Sequence, residues 1–340
     1  MLTSEKIKEM AKEAGADIVG IASMDRFEGL PKEMDPRQIF PEAKSMIVLG
    51  FRILRGCFRG IEEGTWFTAF SLMGYSGIRW VFQPICLWKF TKIIENEGYE
   101  AVPIVDNFPW TNIDNLNPDF IGQDFINVNR TMYGESEKYK GKWSKPVSVE
   151  KPAPDIFIPM KICAYLAGLG EIGYSGMFLT PEFGPRQRLA AIITDAPLEP
   201  DPLVEPGTIC DRCMECVKAC SVGAIPHIKE NKVVRVKIAG KEIEWADIDI
   251  KKCLVGFMYP PKKYNPFIVT EEDERMFDIE KGYKVQKYKV PPIYFYARAL
   301  EGARGCIRAC MIHLEKRGKI KSKFKEPFRK RKPWVIEWEK

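Results

Sequence analysis

At 340 residues, with 45% apolar and 29% charged side chains, the chain is long enough for two modest domains or for one large domain with an appended module. That composition is globular and excludes a disordered or fibrous protein. The net charge of +6 is concentrated near the C-terminus, and no uncharged apolar run reaches the ~18–20 residues that a membrane helix needs.

Thr3 or Ser4 can cap a first helix that runs to about Glu13 and is stopped by Gly15. Asp17–Ala22 then reads as a buried strand, and the stretch from Pro41 to Phe51 repeats that logic with a short turn and a core strand. Residues 80–97 fit a long helix despite Pro84, ending at Gly98, and Glu100–Val105 is a further strand. Residues 106–154 are rich in Asn, Pro, Asp and Lys and read as irregular. Helix signals resume from Phe157 to Leu169. A turn with Gly170, Gly173 and Gly176 leads into Met177–Thr180, and Leu189–Thr194 is a strong strand. A Pro-rich linker from Pro197 to Pro206 precedes a cysteine-rich unit. The reading is an α/β domain over 1–196, a module over 197–315 with a long insertion at 254–305, and a basic tail over 316–340.

The start of the chain lacks the positive-then-apolar layout of an export signal and has no twin-arginine pair, so a cytoplasmic protein is expected. Lys316 to Lys332 carries ten Lys or Arg in seventeen residues. It reads as a solvated segment or a docking face for an acidic electron donor rather than as a nucleic-acid or membrane patch.

Ten cysteines in such a chain point to metal ligation over disulfides. Cys210, Cys213, Cys216 and Cys220 have the C-x2-C-x2-C-x3-C spacing with which a bacterial ferredoxin holds a 4Fe–4S cluster. Zinc prefers two separated pairs, so this run is too compressed for it. Cys306 and Cys310 reproduce the final C-x3-C of a second half, with Ala303 where the preceding cysteine belongs. In the crossed arrangement of two-cluster ferredoxins, Cys210, Cys213, Cys216 and Cys310 hold one cluster, and Cys220, Cys253 and Cys306 are left for the other. Seven thiolates for eight positions leave the second cluster as a three-iron form, with a non-cysteine ligand, or with an open iron. Cys57, Cys86 and Cys163 are isolated in apolar surroundings and read as small buried hydrophobes. Gly170, Gly173 and Gly176 do not follow a strand in G-x-G-x-x-G order, which rules out a nicotinamide-binding reading.

The segment Leu166–Pro202, with Leu-Gly-Glu-Ile-Gly-Tyr-Ser-Gly at its start, resembles the stretch preceding the clusters in reductive dehalogenases and epoxyqueuosine reductases. Phe40–Leu49 is similar to another shared stretch, and the resemblance runs from residue 1 to about 315. It implies a nitroreductase-like α/β domain holding a corrinoid (cobalamin) with its lower base detached, beside a two-cluster ferredoxin-like module. Electrons from a low-potential donor such as ferredoxin then pass through the clusters to cobalt, which cleaves a carbon–halogen or carbon–oxygen bond in a small-molecule substrate. The chain departs from the family in three ways. It lacks the helical-repeat tail of epoxyqueuosine reductases, it has Tyr174 in place of the Lys of their Gly-x-x-Gly-Lys turn, and it lacks the export signal of respiratory dehalogenases.

Reductive cleavage needs a proton, and Tyr174 is the first candidate donor, with Asp155 the second. Arg186 and Arg188 suit a corrinoid side chain, a phosphate or an anionic leaving group, or else a structural salt bridge. The aromatic band Trp66, Phe67, Phe70, Tyr75, Trp80, Phe82 and Trp88 suits a pocket wall or ordinary core. The rival reading is an iron–sulfur electron-transfer protein that serves a partner enzyme and has no substrate of its own.

Overall fold

The computed structural model describes residues 2–105, 147, 156–258, 277–278, 282–283 and 301–328. Asp155, nearly all of the stretch expected to be irregular, most of the insertion and the end of the basic tail lie outside these residues. The first helix, α1 (Ser4–Ala14), starts where the Thr3 side chain accepts from the Lys6 N–H and stops at Gly15, whose φ of 120° favours glycine.

Four strands form one antiparallel sheet: β1 (Ile18–Ser23), β2 (Ser45–Arg52), β3 (Ala101–Ile104) and β6 (Gln187–Thr194), in the order β1-β2-β6-β3. Ile47 faces Ile192 and Leu49 faces Ala190 across the central pair. Both central strands are apolar on both faces, so the sheet is covered twice. Ile47, Leu49, Phe51, Ala190 and Ile192 pack with Ile7 and Ala11 of α1 and with Leu87, Phe90 and Ile94 of α3 (Gln83–Asn96). Their alternates Met46, Val48, Ala191 and Ile193 pack with Ile162–Leu166 of α4 (Met160–Leu166). The period of two along each strand thus sorts neighbouring residues into two cores.

The segment expected as one helix over 80–97 is two kinds of helix. The short α2 (Arg59–Glu63) is followed by wide-wound π turns over Ala69–Ser76 and Ile78–Phe82, and α3 begins only at Gln83. Pro84 therefore stands in the first turn of α3, where a missing N–H costs nothing. Within the aromatic band Phe70 is fully buried, whereas Trp66, Trp80, Phe82 and Trp88 are exposed, so most of the band is neither core nor an enclosed wall.

The cysteine-rich part is built on two hairpins. The first pairs β4 (Glu171–Ile172) with β5 (Phe178–Leu179), and the second pairs β7 (Val233–Ile238) with β8 (Lys241–Ala246). At the second turn both Ala239 and Gly240 have positive φ, which matches the twist of a two-residue hairpin. Between and beyond the hairpins come α5 (Glu215–Ala219), α6 (Ile250–Met258), α7 (Glu301–Arg304) and α8 (Cys306–Lys316). Ala303, Ile307 and Met311 bring α7 and α8 into the core that α1 and α3 share, so the cysteine-rich part is packed onto the sheet. Among the described residues no helix is long and apolar enough to cross a membrane.

Candidate functional site

The cysteine loop is shaped by backbone conformations that side chains rarely adopt. Arg212 (φ 54°) and Met214 (φ 61°) both lie in the left-handed region, folding the C-x2-C-x2-C run back on itself before α5 begins. Cys210, Cys213 and Cys216 from this loop and Cys310 from α8 line one cavity, with Gly173, Tyr174, Leu179 and Leu314. Of these residues, Gly173 makes room for the loop. A Cβ there would lie 2.7 Å from Leu179 Cδ1 and 3.5 Å from the Cys210 sulfur.

Burial raises the thiols of Cys213, Cys216 and Cys310. It pushes Cys216 up to about 11, reinforced by the nearby Cys210 and Cys213, and it raises Cys310 well above the ordinary thiol range. Four sulfurs lining one cavity, with Cys213, Cys216 and Cys310 resisting ionisation, suit a cationic metal–sulfur group that supplies the missing charge. Backbone amides already aim at the sulfurs. Tyr174 N–H donates to Cys210 Sγ at 3.4 Å, and Ala224 N–H donates to Cys220 Sγ at 3.3 Å.

Of the other three cysteines of the pattern, Cys306 reaches the core that the sheet shares. Cys220 and Cys306 both pack against the small core of Tyr174, Met214, Cys216 and Ile225, and Cys306 also packs against the main core. The start of α6 is tied to the same loop, because Asp249 N–H donates to the Ala224 carbonyl at 2.9 Å. Cys253 follows one turn later, with its own N–H on the Asp249 carbonyl at 2.9 Å. Arg304 adds a bond to the Ala219 carbonyl at 2.9 Å, fixing α7 over the end of α5.

Two carboxylates that carried no sequence signal hold this assembly. Glu171, 3% exposed, accepts from the N–H groups of Gly207, of Ile209 at 2.6 Å and of Cys210 at 2.5 Å. One buried anion thus fixes the entry to the cysteine loop, and it does so across 36–39 positions of sequence. Glu62 of α2, its side chain wholly buried, forms a two-pronged ion pair with Arg308 of α8, which stands between Cys306 and Cys310. At the rim, Asp211 receives His313 at 3.0 Å and Arg317. Asp211, Cys213 and His313 offer ligand atoms within 4.8 Å of one another. Because Cys213 faces the four-sulfur cavity and Asp211 is bonded to two basic groups, this trio reads as the rim of that cavity.

The remaining expected site residues are placed as follows. Tyr174 is 2% exposed and lines the cavity, and its hydroxyl donates to the Pro226 carbonyl at 3.1 Å. It supports the cysteine loop from below and presents no hydroxyl to solvent. Arg186 is 1% exposed, donating to the Ile53 carbonyl at 2.7 Å and to Ser322 Oγ at 3.3 Å. The guanidinium thus anchors the 322–328 segment to the sheet rather than an open pocket. Arg188 lies over the Tyr75 ring at 4.0 Å, and that ring in turn meets Phe257 of α6 at 5.1 Å. Asp155 lies outside the described residues. Cys57, Cys86 and Cys163 are buried, as small apolar side chains are.

No family model matches the chain. It is 43% identical over 82 residues to a tetrachloroethene reductive dehalogenase of Desulfitobacterium hafniense, covering 24% of this chain and 14% of that protein. It is 26% identical over 145 residues to an epoxyqueuosine reductase of Bacillus anthracis, covering 43% of this chain and 33% of that protein. The matches thus span well under two thirds of either relative. Among solved structures, an epoxyqueuosine reductase from Streptococcus thermophilus aligns at 20% identity over 67% of this chain and 54% of that chain, with a TM-score of 0.43.

Proposed function

Proceeding from the chain's kinship with the reductive dehalogenases and epoxyqueuosine reductases, we propose that it is an iron–sulfur, corrinoid-dependent reductase of that superfamily. It cleaves a carbon–halogen or carbon–oxygen bond in a small molecule, acts in the cytoplasm, and draws electrons from a low-potential carrier such as ferredoxin. The observation that carries the reading is the meeting of Cys210, Cys213, Cys216 and Cys310 in one cavity.

In this reading those four thiolates hold one cluster, and Cys220, Cys253 and Cys306 hold a second. The clusters supply one-electron carriers, and a corrinoid in the nitroreductase-like α/β part supplies the bond-breaking metal. The chain's own residues bind and orient. Glu171 presets the backbone of Cys210, Tyr174 closes the floor of the cavity, and the Glu62–Arg308 pair fixes the helix that carries Cys306 and Cys310. Leu179, Ile209, Leu314 and Ile320 keep water from the sulfurs on the outer side. Both histidines of the chain already have polar partners. His227 Nδ1 accepts from Lys229 N–H at 3.2 Å, and His313 is bound to Asp211. A corrinoid held by this chain would take its protein contacts from residues other than these two histidines.

The test is anaerobic reconstitution with iron and sulfide, followed by titration with cobalamin. We expect iron and sulfide for two clusters, and a change in the cobalamin absorption and cobalt resonance. Clusters with an unchanged cobalamin spectrum would turn the reading to an electron-transfer protein serving a partner enzyme. No iron uptake would remove both readings.

A further inference from the structure

Beyond α8 the chain continues as a non-helical strap, and its composition is one-sided. From Lys316 to Lys325 there are six cations and no acid. The strap is fixed at several points. Lys319 N–H donates to the Leu314 carbonyl at 3.0 Å, Lys321 N–H to the Pro181 carbonyl at 2.7 Å, and Ser322 N–H to the Glu182 carbonyl at 2.9 Å. Arg317 binds Asp211, the residue after Cys210, and Lys319 Nζ lies 3.4 Å from the Thr208 carbonyl.

Within this segment one apolar side chain turns in and the lysines stay out. Ile320 is buried beside Leu179, Ile209 and Leu314, in the cluster against which Cys210 and Cys310 pack. Lys319, Lys321, Lys323 and Lys325 are all exposed. One edge of the strap therefore touches the packing of the four-sulfur cavity, while the other lays a row of ammonium groups along its rim. Lys321 pairs with Glu182 at 2.8 Å, and the other three carry the outward charge.

We propose that the strap 316–325 is the docking edge for an acidic one-electron carrier protein, which delivers its electron to the cavity of Cys210, Cys213, Cys216 and Cys310. The inference rests on the cluster reading above and adds the entry point. Cys306 faces the sheet core whereas Cys310 packs beside Ile320, so the strap side is the outer end of the relay. The step balances simply. The reduced carrier loses one electron, the oxidised cluster gains it, and no bond or proton changes place. A row of exposed ammonium groups steers an anionic partner and makes the encounter rate fall with salt.

The test uses the full chain, anaerobically reconstituted, mixed by stopped flow with a reduced acidic 2Fe–2S ferredoxin. We expect the triple variant Lys319→Glu, Lys323→Glu, Lys325→Glu to be reduced about tenfold or more slowly at low salt. We also expect a weakened or inverted salt dependence, with Lys→Gln replacements at the same sites intermediate. Reduction by a small neutral donor, photoreduced deazaflavin, should stay within about twofold of the unaltered chain, since steering acts only on the charged partner. Equal carrier rates in the triple variant overturn the docking site while leaving the clusters intact. Absence of the cluster absorption before mixing overturns the cluster reading itself, and the docking site with it. A fluorescent RNA stem-loop provides a further arm. RNA that binds the unaltered chain and not the triple variant, with carrier rates unchanged, makes the strap a nucleic-acid site and overturns the proposal.

Discussion

Replacing Glu62 by Leu leaves the guanidinium of Arg308 inside the protein without its counter-charge. Their side chains are 0% and 10% exposed, so neither charge is screened to any extent by water. Breaking such a buried pair from one side costs about 3–5 kcal/mol, most of it the penalty of the orphaned ion. At about 2.1 cal/mol/K of unfolding entropy per residue, a chain of 340 residues shifts by about 1.4 °C per kcal/mol, so the melting midpoint should fall by about 4–7 °C. Arg308→Leu should cost a similar amount, whereas the double replacement should recover most of the loss, because two apolar side chains in that space have no ion to bury. Calorimetry on the four members of the cycle, in metal-free form, measures the coupling. The exposed pair Lys218–Glu215 is the control, and its removal should move the midpoint by under about 1 °C. Single losses below about 1 kcal/mol that add without coupling would refute the account of Arg308 as a buried, charge-compensated strut.

Glu171→Ala removes the acceptor of three N–H groups and strands the buried one of Ile209 at about 1–3 kcal/mol, so the cysteine loop should lose its preset form and iron content should fall. Glu171→Gln should recover part of the iron, as measured by iron and sulfide per chain. Cys310→Ala should remove about half of the bound iron under the two-cluster reading, while Cys57→Ala should leave iron unchanged at a cost in stability of about 1 kcal/mol. The thiols also set a pH dependence. Cys216 is raised from 9.0 to about 11 in the folded chain, so its contribution is fully present below about pH 9 and is lost as pH rises towards about 11. Urea midpoints of the metal-free protein should therefore drop across that window, and Cys216→Ala should flatten the drop.

Much of the sheet was legible because its strands are buried on both faces, and runs such as Met46–Leu49 and Leu189–Thr194 announce themselves by composition alone. The order of those strands was not, since pairing Ile47 with Ile192 depends on residues 145 positions apart. The cysteine spacing pointed to the thiols that the fold brings together, because ligand geometry is written in short intervals. Glu171 and Glu62 were invisible for the opposite reason. Each is an ordinary Glu locally, and each gains meaning only from partners brought in by tertiary structure. Pro84 misled because it stands in a helix-forming run, and only the π turns ahead of it show that the α-helix begins beside it. The alternation of Val234, Val236 and Ile238 with Arg235 and Lys237 carried the β7–β8 hairpin in plain view.

The four thiols of the outer cavity come from both ends of a long stretch, since Cys216 and Cys310 lie 94 positions apart (310 − 216). During synthesis at about 5–20 residues per second, the last of them follows the first three after roughly 5–20 s. Throughout that interval a nascent chain exposes three sulfurs of a four-sulfur nest, able to capture a stray ion or to be oxidised. Under the proposed cluster reading, holding the iron back until Cys310 has left the ribosome is a timing problem that this topology imposes on the cell.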